Sequence, residues 1–560
     1  MTTFPERLKA LHARTPDRVT IYLQVSGRED VPITYDQLLR RSNDYAFTLA
    51  QAGVKPGEVV ILILQHGEDL IYSFWGTILH GAIPSIMPFL TEKLSPERYR
   101  ADLSALVSVT KPAAIITYSE FADEVQMALQ DGHSVRAVMA TDKIKQRTDS
   151  DFETLSGFSR ASKDIVLLQH SSGTTGLQKG VALSHQAVFN QLDAYGKSLS
   201  LSENDVIVSW LPLYHDMGLI AGFIMPVLSG VPLVLMSPFD WVRAPYKLLQ
   251  SVSKYKGTLM WLPNFAYNFS AQKIRDRHLE GVDLSSLRAV INCSEPVRWE
   301  SHQSFYERLM KYGLKYESLQ TSYAMAENVF CVTQSPLGSA PVVDEIDRES
   351  FMVARVAKSP FDGRPSMKMM SSGHPVSNVK VKIIDERMQE LPDCAVGEIV
   401  IQSNCMLTGY YNRPELSEQA FLDSWYLTGD YGYLSDGELF VSGRKKDMII
   451  VGGKNVYPQD LEMLTYEVPG VHAGRAVAFG MFDETQGTEE VVIIAEADSE
   501  NEVEQQKIAD AIRLHVNKNS AIALRYVKVV GPQWIVKTSS GKTARSANKE
   551  KFLKELVAEK

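Results

Sequence analysis

The sequence predicts an α/β protein with a large N-terminal domain of mostly parallel sheets flanked by helices, a β-rich subdomain, and a small α+β C-terminal domain. Three observations support this fold class. Short apolar runs alternate with helical patterns in the first part of the chain, which is the order of βαβ units. After about residue 370 the pattern changes to strand-like runs, which are separated by turn clusters such as Ser435-Asp436-Gly437. The length of 560 residues exceeds one ordinary core, so two or more domains are expected.

Local signals place the first elements. Thr34-Tyr35-Asp36-Gln37 reads as a capping box that starts a helix. Residues 58–64 are rich in Val and Ile, as in a buried strand, and are followed by a helical pattern at 69–79 and a second strand at 82–87. Strand, helix and strand within about thirty residues predict a parallel pair. Further strands are expected at 113–118, 135–140, 165–169, 206–210, 287–292, 379–385, 397–403 and 438–441.

Composition excludes several classes of protein. The 58 basic and 67 acidic residues give a net charge of −9, which argues against nucleic acid as a main partner. The most apolar stretch, residues 223–236, is interrupted by proline and glycine and is shorter than the ~20 residues of a membrane span. No apolar stretch typical of a signal peptide follows the first charges, so a soluble, cytoplasmic protein is expected. The four cysteines form no C-x-x-C pair, which disfavours a zinc site or a disulfide framework.

A glycine-rich segment is the strongest local signal for chemistry. It contains Ser171, Ser172, Gly173, Thr174, Thr175, Gly176 and Lys179. Glycines allow backbone N–H groups to turn toward an anion, hydroxyl groups add donors, and the lysine adds a positive charge. Because Lys179 is followed by Gly180, the spacing differs from that of a P-loop, which disfavours an ordinary NTPase. The segment therefore predicts a phosphate-binding loop of another kind.

Six further segments follow this loop in order, and together they carry a family resemblance. They are Trp-Leu-Pro-Leu-Tyr-His-Asp-Met-Gly-Leu-Ile at 210–220, Asn-Cys-Ser-Glu-Pro-Val at 292–297, Tyr-Ala-Met-Ala-Glu at 323–327, Tyr-Leu-Thr-Gly-Asp at 426–430, Gly-Arg-Lys-Lys-Asp at 443–447 and Lys-Thr-Ser-Ser-Gly-Lys at 537–542. Over nearly its whole length the chain resembles the adenylate-forming superfamily. It is most similar to fatty-acyl-AMP ligases, with acyl-CoA synthetases next.

The resemblance implies an enzyme that uses ATP and Mg²⁺ to activate a carboxylic acid. It implies catalytic roles for Lys542, for Glu327 as the magnesium ligand, and for His215 as a gate near the acyl carboxylate. It places ATP or AMP on the glycine-rich loop, with the β- and γ-phosphates held there, and on a second set of residues. These are Ser294, Glu295, Pro296, Ser322, Tyr323, Ala324, Met325, Asp430 and Arg444. It also implies domains at 1–443 and 448–560, joined by a hinge at 444–447 that includes Lys445 and Lys446, with the smaller domain mobile.

The chemistry accounts for these residue types. A carboxylate must approach the α-phosphate of ATP, and two unit charges ~4 Å apart in a partly screened site repel by about 4 kcal/mol. Lys542 is expected to offset this repulsion by bridging the two anions. Two positions depart from the family pattern. Ala324 stands in place of a glycine and Val536 in place of a proline, and neither change removes a charge that the reaction needs.

The acceptor of the acyl group is predicted from three features typical of fatty-acyl-AMP ligases. They are the segment at 214–220, Tyr-Pro-Gln-Asp-Leu-Glu at 457–462, and the long connection at 330–371. They favour transfer to an acyl carrier protein acting in trans, because no carrier motif is present. Residues 537–560 hold seven basic and three acidic side chains, and this basic end is expected either to dock an acidic carrier or to be an amphipathic surface helix.

Three alternatives remain open at this point. An acyl-CoA synthetase would share the first half-reaction and use CoA as the acceptor. A free-standing amino-acid adenylating enzyme would use Asp216 to bind an amino group. A nucleotide-binding module without catalysis would bind ATP but show no pyrophosphate exchange.

Overall fold

The computed structural model describes residues 2–90, 96–147, 151–171, 179–361, 363–451, 454–483, 488–499, 501–520, 522, 524–538 and 542–558. Backbone contacts divide the chain into two compact units. The first unit comprises residues 1–341, 373–380 and 402–421. The second comprises residues 342–372, 381–401 and 422–560.

Both units mix helices and strands, which confirms the predicted α/β class. The helices are α1 Phe4–Arg14, α2 Tyr35–Gln51, α3 Glu68–His80, α4 Pro96–Thr110, α5 Ala122–Ala128, α6 His185–Ser198, α7 Met225–Ser229, α8 Pro238–Arg243, α9 Tyr246–Tyr255, α10 Asn264–Lys273, α11 Trp299–Leu309, α12 Pro414–Gln419, α13 Pro458–Tyr466, α14 Glu502–Asn519 and α15 Arg545–Ala558.

The strands are β1 Val19–Gln24, β2 Val31–Thr34, β3 Val59–Ile63, β4 Ile83–Ile86, β5 Ala114–Thr117, β6 Ala137–Ala140, β7 Ile165–Ser171, β8 Lys179–Ser184, β9 Ile207–Ser209, β10 Leu233–Met236, β11 Leu259–Leu262, β12 Ala289–Asn292, β13 Leu319–Ala324, β14 Cys331–Gln334, β15 Val343–Asp347, β16 Ser366–Met370, β17 His374–Pro375, β18 Val379–Ile384, β19 Gly397–Ser403, β20 Gly409–Tyr410, β21 Phe421–Leu422, β22 Trp425–Ser435, β23 Glu438–Arg444, β24 Ile449–Val451, β25 Lys454–Val456, β26 Val471–Asp483, β27 Thr488–Ala497 and β28 Tyr526–Val530.

Two large sheets organise the first unit. One has the strand order β17-β14-β13-β12-β11-β9-β10-β1-β2, and its strands from β13 to β1 pair in parallel. The other has the order β20-β8-β7-β4-β3-β5-β6, with parallel pairing from β7 to β6. In parallel sheets with helices on their faces, central strands are buried on both sides. All five residues of β3 are buried accordingly.

Most of the local predictions for the first unit are confirmed. Thr34 and Gln37 form the capping box that starts α2, and β3, α3 and β4 form a βαβ unit with parallel strands. Several strands of the first unit were not predicted, among them β1, β8, β10 and β11. Strand β8 lies between the glycine-rich segment and helix α6, and it pairs antiparallel with β7. The glycine-rich segment therefore joins two antiparallel strands, and Ser184 caps the helix that follows β8.

The second unit contains smaller sheets and the C-terminal part of the chain. The strand order β18-β19-β22-β21, with β23 beside β22, forms its β-rich part, and β26, β27 and β28 form a three-stranded sheet. The long connection at 330–371 is not a plain loop. Within it, β15 and β16 form an antiparallel hairpin. Its side chains Ile346, Phe351 and Met352 pack in one core cluster with Tyr433 and Tyr457.

The predicted hinge at 444–447 lies inside the second unit, so the two units do not divide there. The domain boundary and the hinge motion stay predictions. All four cysteines lie among the described residues, and none of them forms a disulfide. Among the residues that the structure describes, no helix combines the length and the apolar character needed to cross a membrane.

Candidate functional site

The carboxyl ends of three parallel strands assemble most of the predicted site of the first unit. Strand β9 leads to the segment with His215, β12 leads to Ser294, and β13 leads to Glu327. Because these strands are parallel in one sheet, their carboxyl ends lie at the same edge. Ligands of open α/β sheets bind outside this edge. The topology thus brings together residues that are more than 100 positions apart in the sequence.

Glu327 lies in a strained turn between β13 and β14. The N–H of Phe330 donates to the carbonyl oxygen of Asn328 at 2.6 Å, which closes a γ-turn around Val329. Val329 has φ +62° and ψ −56°, a conformation that a β-branched residue rarely adopts. Strain of this kind persists where the surroundings determine the backbone, and it concentrates at functional sites.

Tyr410 connects Glu327 to Lys179. The Tyr410 hydroxyl donates to Glu327 Oε1 at 2.9 Å, and the Lys179 ammonium lies 4.6 Å from the centroid of the Tyr410 ring. Strand β20, which carries Tyr410, pairs with β8, which begins at Lys179. One tyrosine therefore holds an anion on its hydroxyl and a cation on its ring face, the geometry of a cation–π contact.

The strand that pairs with β8 contains a histidine, His170, that carries no charge at neutral pH. His170 lies on β7, paired with Gly180, and its Nε2 is 2.6 Å from the Ser85 hydroxyl. Burial lowers the pKa of His170 to about 4, so its ring is neutral at pH 7. Ser171 pairs with Lys179 at the end of β7. The Ser171 side chain and the predicted phosphate contacts Ser172, Gly173, Thr174, Thr175 and Gly176 lie outside the described residues.

His215 and Asp216 form a local pair at the start of a short π-helix, Met217–Ile224. His215 Nδ1 lies 3.0 Å from Asp216 Oδ1, which also accepts the Met217 N–H at 2.8 Å. Asp216 therefore caps the helix and orients the histidine ring. A Cβ at Gly218 would collide with the carbonyl oxygen of Pro212, so only glycine allows this close approach.

The segment after β12 contains a serine with a strained backbone, Ser294, and a carboxylate that is hydrogen-bonded to another element, Glu295. Ser294 has φ +70°, and its hydroxyl faces Cys293 and Met217 at sulfur contact distances of 3.8 and 3.9 Å. Glu295 Oε2 accepts the N–H of Phe265 at 2.8 Å, at the start of α10. Glu295 thus holds two elements together, while Pro296 lies in the following loop.

The predicted adenine-contacting residues lie at the end of β13. Tyr323 is half-buried there, as are Ala324 and Met325, whereas Ser322 is buried and donates its hydroxyl to the Thr333 carbonyl oxygen at 2.8 Å. Ala324 pairs with Cys331 of β14 in extended backbone. Alanine accepts this conformation readily, so the glycine that the family pattern leads one to expect is not required.

In the second unit, the predicted nucleotide-binding residues Asp430 and Arg444 form a cross-strand pair. They face each other in the register of β22 and β23, and Arg444 Nε lies 3.2 Å from Asp430 Oδ1. The Asp430 side chain is 10% exposed and that of Arg444 is 52% exposed, so the arginine lies nearer the surface than the carboxylate. Thr428 Oγ1 accepts the Asp430 N–H at 3.0 Å and fixes the turn.

Lys445, a predicted hinge residue, is bound within the β-rich part of this unit. Its ammonium donates to Glu398 Oε2 at 2.7 Å, while Glu398 Oε1 accepts the Gly429 N–H at 3.3 Å. The hydrogen bond to Glu398 raises the pKa of Lys445. Glu398 thereby links the Asp430 turn to the segment 444–447. Lys446, the other predicted hinge residue, lies in the same 3₁₀ turn.

Lys542 lies in a hairpin just before α15. Thr538 and Lys542 bond to each other twice: the Thr538 N–H donates to the Lys542 carbonyl oxygen at 2.7 Å, and the Lys542 N–H donates to Thr538 Oγ1 at 3.1 Å. Lys537 and Thr543 form a further antiparallel bridge. The backbone of the lysine is therefore fixed on both sides, although residues 539–541 lie outside the described chain.

The residues present fit a magnesium ion held together with phosphates. Within the described residues, no group of three or more His, Cys, Asp or Glu side chains converges on one point. A magnesium ion shared with substrate phosphates needs only one or two carboxylates, the rest of its shell being phosphate oxygens and water. Glu327, whose Oε1 accepts a hydrogen bond from the Tyr410 hydroxyl, has the chemistry that such a site requires.

Comparison with known proteins identifies the family. The model of the family described as AMP-binding enzyme matches residues 8–411. The chain belongs to this family.

Three similar proteins are informative. A long-chain-fatty-acid–AMP ligase of Mycobacterium bovis is 30% identical, with 93% of this chain and 91% of that protein covered. The medium-chain-fatty-acid–acyl-carrier-protein ligase JamA of Moorena producens is 28% identical, with 97% and 93% covered. A solved structure from work on fatty acyl-adenylate ligases of E. coli and L. pneumophila has a TM-score of 0.90 and 26% identity, with 100% and 99% covered. The chain is thus an AMP-binding enzyme similar to fatty-acyl-AMP ligases over nearly its full length.

The sequence did not reveal two residues of this AMP-binding enzyme that contact predicted functional residues: Tyr410, which contacts Glu327, and Glu398, which contacts Lys445. Tyr410 lies in Gly-Tyr-Tyr-Asn, which carries no catalytic pattern, and it is 83 positions from its partner Glu327. Glu398 lies in an apolar strand, where a single buried acid was the only signal. A buried acid on a strand requires a partner, so the pattern could have indicated a nearby cation.

Proposed function

We propose that this AMP-binding enzyme converts a fatty acid and ATP into fatty-acyl-AMP and pyrophosphate, and then transfers the acyl group to the phosphopantetheine thiol of an acyl carrier protein. The observation that carries the proposal is the cluster of Lys179, Tyr410 and Glu327 at the predicted phosphate loop. It sets a cation and an anion beside each other through one aromatic side chain. Similarity to fatty-acid–AMP ligases and to JamA supports the acyl substrate and the carrier.

In the first half-reaction a carboxylate oxygen of the acid forms a bond to the α-phosphorus. The bond from that phosphorus to the bridging oxygen of pyrophosphate breaks, and pyrophosphate leaves with the electron pair. Lys542 offsets the repulsion between the carboxylate and the α-phosphate, and Lys179 balances the charge on the leaving group. Magnesium bound by Glu327 would supply further neutralisation of the phosphate oxygens.

Other side chains bind and orient the substrates. Asp430 is suited to accept hydrogen bonds from the ribose hydroxyls, and Arg444 is suited to donate to the same part of the nucleotide. Tyr323 offers a ring face for adenine. His215, oriented by Asp216, lies in the segment assigned to the acyl carboxylate. No side chain has to act as a nucleophile, because the substrate supplies it.

In the second half-reaction a thiolate attacks the acyl carbon and AMP leaves. The choice of carrier protein over CoA is supported by the β15–β16 hairpin. Besides packing with Tyr457, it holds Arg348, whose guanidinium donates to the carbonyl oxygen of Asn519 at the end of α14. In fatty-acyl-AMP ligases the corresponding insertion is thought to disfavour CoA. We place the reaction in the cytoplasm, where ATP and carrier proteins meet.

One incubation tests the proposal. The enzyme, ATP, Mg²⁺, a panel of carboxylic acids, CoA and a phosphopantetheinylated carrier protein are combined, and products are identified by mass spectrometry. We expect acyl-AMP, AMP and acylated carrier, with fatty acids the best substrates. Acyl-CoA as the main product would instead identify an acyl-CoA synthetase, and aminoacyl-AMP an amino-acid adenylating enzyme. ATP binding without pyrophosphate exchange would contradict all three of these enzymatic functions.

The carrier is expected to contact the basic C-terminal helix α15. Lys554 is exposed and Lys549 half-buried. Lys551 is occupied, because its ammonium donates to the Trp534 carbonyl oxygen at 2.8 Å and lies 4.1 Å from that indole ring. Arg545 is paired with Asp447 and Glu462 as well. The cationic surface available to a partner is therefore smaller than the sequence predicts.

Reversing Lys549 and Lys554 to Glu together is expected to slow acyl transfer to the carrier about tenfold at low salt, through lost electrostatic steering. Adenylate formation should stay unchanged. The matched control reverses the exposed Lys507 and Lys518 of α14, which makes the same change in charge on another helix. Equal transfer rates in the two double variants, measured by single-turnover kinetics, would show that α15 does not dock the carrier.

A further inference from the structure

Arg545, the first residue of α15, ties three elements of the second unit to the hairpin of Lys542. Its side chain is 16% exposed. The guanidinium donates to Asp447 Oδ2 at 2.9 Å, to Glu462 Oε1 at 2.7 Å and to the carbonyl oxygen of Ala478 at 2.9 Å. These acceptors lie in the segment 445–447, in α13 and in β26. The arginine lies three residues after Lys542.

The hairpin itself is fixed to the start of α15. The Ala544 N–H donates to the Val536 carbonyl oxygen at 3.0 Å. The fully buried Asn548 accepts the Val536 N–H at 2.8 Å and donates to the carbonyl oxygens of Val536 and Ala544 at 2.9 and 2.8 Å. A displacement of the start of α15 is therefore transmitted directly to the backbone of Lys542.

Stability alone is a weak reason for this arrangement. A buried ion pair often contributes no more to folding than a well-packed apolar cluster of the same volume, because desolvation of the charges offsets their attraction. What a planar guanidinium adds is direction, since its donors form a rigid fork. Burial by itself would lower the pKa of Arg545, but the carboxylates of Glu462 and Asp447 outweigh this and raise it. The fork thus remains charged.

We propose that Arg545 is a positioning residue that holds the Lys542 hairpin on Asp447 and Glu462, so that the Lys542 ammonium is presented in a fixed place during adenylate formation. The inference rests on the proposed function, and specifically on the role of Lys542 in the first half-reaction. It predicts that the damage from losing Arg545 falls on the step that uses Lys542. Binding of ATP and acid, and acyl transfer from preformed adenylate, do not depend on the fork.

The test compares Arg545→Met, Arg545→Lys, Asp447→Asn and Glu462→Gln in the full chain. For Arg545→Met we expect kcat of acid-dependent pyrophosphate exchange to fall about 100-fold, an effect that displacement of a reacting group by about 1 Å can produce. The KM values for ATP and acid should change little. Acyl transfer from supplied acyl-AMP to the carrier should proceed at the wild-type rate. Arg545→Lys keeps the charge but not the fork and should recover only part of kcat.

Two controls keep the outcomes distinct. Arg513→Met removes an arginine that pairs with Asp510 on the surface of α14 and should leave both half-reactions unchanged. Lys542→Ala reports on the proposed function itself. If Arg545→Met does not fold, Asp447→Asn and Glu462→Gln test the positioning role instead, because they keep neutral acceptors. The expected result is again a lower kcat for pyrophosphate exchange with KM values that change little.

The results separate the possibilities. A fall in kcat confined to adenylation supports the positioning role. Wild-type exchange in the Arg545 or carboxylate variants, alongside an inactive Lys542→Ala, overturns it and leaves the proposed function intact. Equal losses in both half-reactions, with a matching fall in Tm, also overturn it, because they indicate a purely structural ion cluster. Full exchange by Lys542→Ala would instead refute the role of the lysine.

Discussion

Lys542→Ala is expected to lower the rate of acyl-AMP formation about 1000-fold. The reason is the repulsion of about 4 kcal/mol between two unit charges ~4 Å apart, of which each 1.36 kcal/mol corresponds to a factor of ten in rate. The lysine backbone is held by Thr538 on both sides, so the substitution removes the ammonium without disturbing the hairpin. The measurement is acid-dependent exchange of labelled pyrophosphate into ATP.

The second half-reaction provides the internal control for this variant. Acyl transfer from supplied acyl-AMP to the carrier should be unaffected, because the ammonium is needed only where two anions meet. Lys518→Ala, an exposed lysine on α14, should leave both steps unchanged. If Lys542→Ala loses less than about tenfold in exchange, another cation offsets the repulsion and the catalytic assignment is wrong.

Glu327→Gln is expected to lower kcat/KM for adenylation about 100-fold and to raise the concentration of Mg²⁺ required. An amide oxygen is a weaker ligand than a carboxylate for a hard cation. Weaker binding of the cation removes part of the charge stabilisation of the transition state, and a loss of about 3 kcal/mol corresponds to about 100-fold in rate. The binding of a non-hydrolysable ATP analogue, measured by calorimetry with and without Mg²⁺, reports on the ion separately from activity. The wild type should show a marked magnesium dependence and the variant little.

Tyr410→Phe is expected to have a smaller effect in the same direction as Glu327→Gln. It keeps the ring beside Lys179 and removes the hydroxyl that donates to Glu327. Loss of one hydrogen bond to a charged acceptor, about 1.5–3 kcal/mol, predicts a smaller effect in the same direction. Tyr411→Phe, the same substitution at the neighbouring half-buried tyrosine, is the matched control. Equal magnesium dependence in wild type, Glu327→Gln and Tyr410→Phe would exclude Glu327 as the ligand.

The first unit was predicted well where local pattern determines structure. Apolar runs such as β3 and the capping box at Thr34 depend on residues close together in the chain, so periodicity and capping rules find them. Strand β8 was missed because it directly follows a glycine-rich segment whose turn signals dominate. The antiparallel partner that makes it a strand, β7, lies across that segment.

The candidate site was predicted by its ordered motifs but not by its contacts. The sequence placed Glu327, His215 and Ser294 in one site through a family resemblance, and the shared edge of the parallel sheet gives the physical reason. It did not reveal Tyr410, since the pairing of β20 with β8 depends on segments more than 200 residues apart. It also overstated the basic surface of α15, because ion pairs of Arg545 and the contact of Lys551 with Trp534 form only on folding.

Hydrophobic periodicity was enough to predict the α/β class, and the resemblance of the ordered motifs was enough to predict the family and the charged residues of its chemistry. Which charges engage one another became visible only in the folded chain. Glu398 is committed to Lys445, Glu295 to the start of α10, and Arg545 to two carboxylates. The physical reason is that an ion pair or a capped helix joins residues that are distant in the chain, and their distance is set by packing rather than by any local pattern.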